Sequence, residues 1–304
     1  MTISFASAGT IDDALEAIGS GARPVAGGTD LVVGARQGKA PLPEAIVAID
    51  RIPALAGIAD EDGGVRMGAL VTHGEIVASA LIRERLTALA DASAIVGSHA
   101  TRAHGTIGGN VMNASPAMDT GGPLLCFGAS ARLRSASGER SVPLEELWTG
   151  PGATTAEPHE LLVGIDVPSP PSGTGSAYVR LEYRRQMEIA IVGVTAVVRV
   201  DGGSVADARL AITALAPTIR RVADAEAALI GSDGDVGAID AAARAVAAGS
   251  SPIADVRGSA EYRAAMAEVI GRRAIAAALA RARGEHVPVP ASAATSAGAG
   301  GATG

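Results

Sequence analysis

Apolar and polar positions alternate along this chain in short, distinct blocks. Ile11, Leu15 and Ile18 share one face of a helix that Thr10 can cap, with Asp12 and Asp13 at its positive end. Gly19 and Gly21 end that helix, and Arg23-Pro24-Val25-Ala26 reads as a brief strand. A helix is predicted over 30–37, with Thr29 as its cap and Gly38 as its stop. Strand patterns follow at 45–50 and 65–70, separated by a turn-rich 60–64. Thr72-His73-Gly74-Glu75 has capping-box spacing, a longer helix is predicted over 82–96, and 97–105 reads as a polar linker. Pro123–Phe127 reads as buried, and 131–135 with 140–143 as a hairpin. Leu161–Val167 is another strand.

Pro168-Ser169-Pro170-Pro171-Ser172-Gly173-Thr174-Gly175 is the clearest linker, and a domain boundary is expected there. Beyond it, 189–200 and 205–215 read as an antiparallel hairpin around Asp201-Gly202-Gly203. Helices are predicted over 223–229, 236–248 and 262–282, and the Ala/Gly/Ser/Thr-rich tail from Pro288 is expected to be disordered. The element order gives an α+β chain.

Composition narrows the function classes. Of 304 residues, 48% are hydrophobic and 19% charged, which suits a folded protein of more than one domain, and 2% aromatic content points to close packing of small residues. A net charge of −7 without a basic cluster argues against a nucleic-acid partner. The single cysteine, Cys126, excludes an internal disulfide or a cysteine-ligated cluster held by this chain alone. No signal peptide is evident and no apolar run is long enough to span a bilayer, so a cytoplasmic location is the expectation.

The candidate chemistry lies in two double-glycine segments. Val25-Ala26-Gly27-Gly28-Thr29-Asp30-Leu31-Val32 and Thr106-Ile107-Gly108-Gly109-Asn110 each lack a Cβ where a ligand would meet the backbone. Successive amides in such turns make an anion-binding concavity, and two of them can close on the two phosphates of a dinucleotide. Neither matches G-x-G-x-x-G or the Walker pattern, so the residues alone give a non-Rossmann pyrophosphate cradle.

These two segments, with Ala114-Ser115-Pro116…Asp119, resemble the FAD-binding medium subunit of molybdenum hydroxylases. That family includes the flavin subunits of aerobic carbon monoxide dehydrogenases and xanthine dehydrogenases. Arg184-Arg185…Ile189–Val194 and Gly258–Arg263 with Arg272-Arg273-Ala274 extend the resemblance from about residue 4 to about residue 283. It implies a two-subdomain FAD-binding domain of the vanillyl-alcohol-oxidase/PCMH type over 1–172, its subdomains about 1–57 and 58–172. A smaller α+β domain, an antiparallel sheet with helices, would occupy 176–284.

The resemblance implies FAD in this chain and no catalytic or metal-ligating residue. Its contacts would be residues 25–32 and 106–110, then Ser115, Asp119, Leu162 and Arg180, with Asp119 on the ribityl or ribose region. The implied partners are a large molybdenum-cofactor subunit and a small subunit with two [2Fe–2S] clusters, assembled as a dimer of heterotrimers. Electrons would pass from those clusters through FAD to an external acceptor.

Several residues carry a plainer reading. Asp119 can cap a helix after Pro116, and His99 and His104 suit a surface or loop-stabilising role better than a metal. Cys126 suits a buried small hydrophobe, and Trp148 packing. Arg184-Arg185 can be a solvated pair or face the cofactor or a subunit, and Val96 removes an aromatic that some relatives place near the flavin. The rival functions are a self-contained flavin oxidase of the vanillyl-alcohol-oxidase type and a non-catalytic assembly subunit. Substrate and electron acceptor stay open.

Overall fold

The structure, a computed structural model, describes residues 3–297 apart from Lys39, Asp62 and Arg185. The chain begins β1 (Ser4–Ser7), α1 (Ile11–Gly19), β2 (Arg23–Val25), α2 (Leu31–Arg36) and β3 (Ala45–Ala48). The three strands form a parallel sheet in the order β1-β3-β2. Thr10 caps α1 as expected, in a capping box completed by Asp13, and Ala14, Leu15 and Ile18 are buried against this sheet.

The next unit runs β4 (Ile58–Glu61), β5 (Gly64–Gly68), α3 (His73–Ala78), α4 (Ala80–Arg85), α5 (Thr87–Ala94), α6 (His99–His104), α7 (Ile107–Asn113) and α8 (Gly121–Cys126). It closes with β6 (Ser130–Ser135), β7 (Gly138–Pro143), α9 (Leu144–Leu147), β8 (Trp148–Gly150), β9 (Ala153–Thr154) and β10 (Leu161–Pro168). Five strands make an antiparallel sheet in the order β4-β5-β10-β6-β7. Its core joins Met67, Leu133 and Ile165 of the sheet to Leu89 of α5, Ile107 of α7 and Leu124 of α8.

Three expectations change in this region. The helix predicted over 82–96 breaks at Leu86, whose φ of −127° and ψ of 47° are not helical. The turn-rich 60–64 contains the second half of β4, folded back on β5. The polar linker 97–105 contains α6, whose first turn is capped by Ser98.

The last unit holds β11 (Thr174–Leu181), β12 (Val192–Asp201), β13 (Ser204–Thr213), β14 (Arg220–Arg221), α10 (Ala223–Leu229), α11 (Val236–Ala248), α12 (Ala260–Ala282) and α13 (Ala291–Ala297). The strands form an antiparallel sheet in chain order. Long α12 presses small residues on it: a Cβ built on Gly175 would overlap the backbone of Ala282 and Ala278. Strand β11 begins at Thr174, inside the stretch expected to be linker.

The tail also departs from expectation up to Ala297. Ala291 and Ser292 are buried, the Ala291 amide donates to Asp91 Oδ1 (3.0 Å), and Ser292 Oγ accepts from the Arg180 amide (3.0 Å). Residues 298–304 lie outside the described residues.

Two buried ionic groups tie the second and third units together. Arg281 of α12 grips Asp91 of α5 bidentately (2.6 and 3.0 Å), and the same carboxylate accepts from the Tyr178 amide of β11 (3.1 Å). Asp119, just before α8, meets Tyr178 and Arg180 of β11. The Ser176 hydroxyl of β11 accepts from the Ala88 amide of α5 (3.0 Å) between them. No helix among the described residues is long and apolar enough to cross a membrane.

Candidate functional site: two double-glycine segments in contact

The first double-glycine segment meets His104 and Gly105, the residues that lead into the second. A Cβ built on Gly27 would overlap the carbonyl oxygen of His104, the last residue of α6. A Cβ on Gly105 would lie 3.5 Å from Thr29 Oγ1. Only glycine lets the first segment lie on the entry to the second.

The first segment offers its backbone. Among the described residues no acceptor pairs with the amides of Gly27, Gly28 or Thr29, while the Gly28 carbonyl accepts from Val32 (3.0 Å). Gly28 has φ +66°, the left-handed region open to glycine. The cap of α2 is Asp30, without a side-chain cap bond, so the expected Thr29 cap is replaced. Ala26, Thr29 and Leu31 are half-buried, while Asp30 and Val32 are exposed.

The second segment works differently from expectation. Gly108 and Gly109 lie in the first turn of α7, and neither has positive φ. Their amides are committed: Ile107 donates to Val71 O (2.8 Å), Gly108 to Ala69 O (3.0 Å), Gly109 to Thr106 Oγ1 (3.1 Å) and Asn110 to Thr106 O (3.0 Å). Thr106 is the N-cap. Gly108 is buried, and a Cβ there would lie 2.6 Å from Ala69 O. Gly109 is exposed, with Thr106 Oγ1 alone among the described atoms within 4 Å of its missing Cβ. The first segment therefore supplies donors, and the second supplies a bare surface at Gly109.

Neighbouring groups hold this surface in place. Trp148 is buried and its indole N–H donates to Val111 O of α7 (3.0 Å), the packing role expected of it. Asn110 Oδ1 accepts from Thr120 Oγ1 (2.6 Å), which links α7 to the Asp119 segment. Ser115 Oγ accepts from the Ala117 amide (3.3 Å) in the turn between them. Leu162 is buried in the core on β10, the strand against which α7 packs.

Asp119 does not cap α8; its N-cap, Thr120, has no side-chain cap bond. Asp119 Oδ1 accepts from Tyr178 OH (2.7 Å) and Oδ2 from Arg180 Nη1 (2.7 Å). Arg180, fully buried at its side chain, also binds Glu182 (2.6 Å) and Ile95 O (2.9 Å). Burial pulls the Arg180 guanidinium down, but Asp119, Tyr178 and Glu182 more than reverse this and keep it charged. Burial and Asp119 push the Tyr178 phenol well above its ordinary value, so it stays the donor.

Sequence reasoning missed two residues here. His73 is buried beneath Gly105, its amide donating to Gly105 O (3.1 Å). Burial, with Arg102 nearby, lowers its pKa to about 4, so it is neutral at neutral pH. Arg102 of α6 is half-buried and donates to Val96 O (2.9 Å). Burial and then Arg180 pull it below the ordinary arginine value. The capping box around His73 was legible, and Thr72 and Glu75 form it, but its burial depends on partners far along the chain.

Other expected residues lie on the surface or in the core. His99 and His104 are exposed on α6, and no described group of three or more His, Cys, Asp or Glu side chains is placed to hold a metal. Cys126 is buried, which pushes its thiol up. Arg184 is exposed and binds Glu188 (3.1 Å) and Met187 O (2.7 Å); Arg185 lies outside the described residues.

Comparison with known proteins bears on the same segments. A family described as "FAD binding domain in molybdopterin dehydrogenase" matches residues 1–170. A second, "CO dehydrogenase flavoprotein C-terminal domain", matches residues 177–278. The chain is 35% identical over 264 residues to the carbon monoxide dehydrogenase medium chain of Hydrogenophaga pseudoflava, covering 87% of this chain and 91% of that one. It is 29% identical over 286 residues to the xanthine dehydrogenase FAD-binding subunit of Escherichia coli O157:H7, covering 93% and 98%. A solved carbon monoxide dehydrogenase from Hydrogenophaga pseudoflava, lacking the Mo-pyranopterin moiety of its cofactor, superposes with a TM-score of 0.88 at 34% identity. That match covers 92% of this chain and 98% of the other.

Proposed function

The chain belongs to the FAD-binding proteins of the molybdopterin dehydrogenase family, and from that premise we propose that it is the FAD-carrying electron-transfer subunit of a molybdenum hydroxylase. The observation that carries the reading is the contact of the first double-glycine segment with the entry to the second, with three amides of the first left without an acceptor among the described residues. This arrangement fits the diphosphate of a dinucleotide. Bound FAD would supply the redox chemistry, taking electrons from an iron–sulfur partner and passing them to an external acceptor.

The protein's own part is binding and placement. The amides of Gly27, Gly28 and Thr29 donate to the diphosphate oxygens, and Gly109 admits the ligand against α7. Each Asp119 oxygen has accepted one hydrogen bond, so lone pairs remain for a ribityl hydroxyl. Arg180 and Tyr178 hold that carboxylate in position. No general acid, base or nucleophile is assigned to this chain.

The finer points extend this reading. We place the FAD-binding domain at 1–172, with subdomains about 1–57 and 58–172, and the C-terminal domain at 176–284. The partners are a large molybdenum-cofactor subunit and a small iron–sulfur subunit in a dimer of heterotrimers, located in the cytoplasm. The relatives differ in the substrate their names carry, carbon monoxide or xanthine.

Titration with FAD tests the assignment at Gly109. Gly109→Val is expected to weaken FAD binding at least tenfold, about 1.4 kcal/mol, because a branched side chain fills the bare surface. The melting temperature should fall little, since the position is exposed and of helical φ. An unchanged dissociation constant, read from flavin fluorescence, would remove the second segment from the site.

A further inference from the structure

A cavity of about 280 Å³ is lined by Ala94, Ile95, Arg102, Glu182, Gln186 and Ala293, among others. Arg102 stands on α6, the helix whose last residue touches Gly27. Arg102 lies two positions before His104, about 3 Å along the axis. Glu182 in the same wall pairs with Arg180, which in turn pairs with Asp119, so the cavity adjoins the Asp119–Arg180 group.

The Arg102 guanidinium differs from its neighbour in its partners. Arg180 is neutralised by Asp119 and Glu182. Arg102 donates to one backbone carbonyl, Val96 O, and among the described residues it forms no ion pair. A half-buried cation facing a cavity without a carboxylate of its own is suited to an electron-rich ligand edge.

We propose that this cavity takes the flavin ring and that Arg102 faces the ring's polar pyrimidine edge; the inference rests on the FAD reading above. The lining favours a ring over the diphosphate. Ala94, Ile95 and Ala293 give apolar walls, whereas the carboxylate of Glu182 in the same wall opposes a doubly charged group. Two-electron reduction of a flavin with uptake of a single proton leaves negative charge on the pyrimidine edge. A fixed cation there stabilises the reduced form more than the oxidised form.

The test compares FAD and ADP, which share the diphosphate, on the full chain and on Arg102→Gln and Arg102→Lys. ADP affinity should be the same for all three. In Arg102→Gln the reduced form of FAD should be held about tenfold less tightly relative to the oxidised form. For a two-electron couple this lowers the midpoint potential by about 30 mV, read by titration against a reference dye. Arg102→Lys should retain most of the wild-type potential, which a loss of folding would not do. An unchanged potential in Arg102→Gln, or ADP affinity falling in parallel with that of FAD, would overturn the assignment of Arg102. Failure of the unaltered chain to bind either nucleotide would instead overturn the FAD reading, and this inference with it.

Discussion

Gly27→Ala is expected to reduce FAD affinity at least tenfold and to leave the rest of the fold intact. The added Cβ overlaps the His104 carbonyl, so the first segment must move away from α6 and from the entry to α7. Overpacking of this kind costs about 1–3 kcal/mol, and each 1.4 kcal/mol is a factor of ten in affinity. Because the amides of Gly27, Gly28 and Thr29 ride on the same segment, their displacement spoils all three donors together. Calorimetric titration with FAD reads the effect directly. An unchanged dissociation constant would mean that contact between the two segments has no part in binding.

Asp91→Ala is expected to cost about 3–5 kcal/mol of folding stability. The carboxylate is fully buried and receives both arms of Arg281 together with the amides of Tyr178 and Ala291. Its removal strands a buried guanidinium and two buried amides at once. It also unties α5 from β11, α12 and the tail. Arg66→Ala provides the contrast: Arg66 pairs with Asp166 at 2.9 Å, but both side chains are about two-fifths exposed, and the expected loss is below about 1 kcal/mol. Chemical denaturation of the two variants measures both. Equal losses would contradict the account of how the second and third units are joined.

Local patterns in the sequence translated well into structure. The capping boxes at Thr10–Asp13 and Thr72–Glu75, the β6–β7 hairpin and the alanine-rich α11 and α12 are each specified by residues within a few positions. Elements dictated by distant partners did not show. Strand β11 begins Thr174-Gly175-Ser176, which reads as linker until Ala282 demands a glycine and the Ala88 amide a hydroxyl. Helix α6 has almost no apolar stripe, and its own cap, Ser98, is a modest signal among polar neighbours. The double glycine at 108–109 suggested a flexible turn, whereas Thr106 draws it into a helix.

The candidate site was legible as residue types and not as roles. Both double-glycine segments could be read, yet the division of labour between them depends on Val71, Ala69 and His104, which sequence spacing does not bring near. Asp119 and Arg180 were separately expected at the cofactor. Their mutual pairing, across 61 residues, and the burial of both emerge only from the packing of α8 on β11. Arg102 went unnoticed because an arginine in a polar stretch is usually solvated.

The central claim is that this chain carries FAD between metal-bearing partners. The most direct measurement is the absorption spectrum, with molybdenum and iron counts, of the complex captured through a tag on this chain. The account predicts flavin absorbance equimolar with the chain, accompanied by both metals, and flavin alone when the chain is isolated from its partners and given FAD. An isolated chain that shows no flavin absorbance even after FAD is added would contradict it.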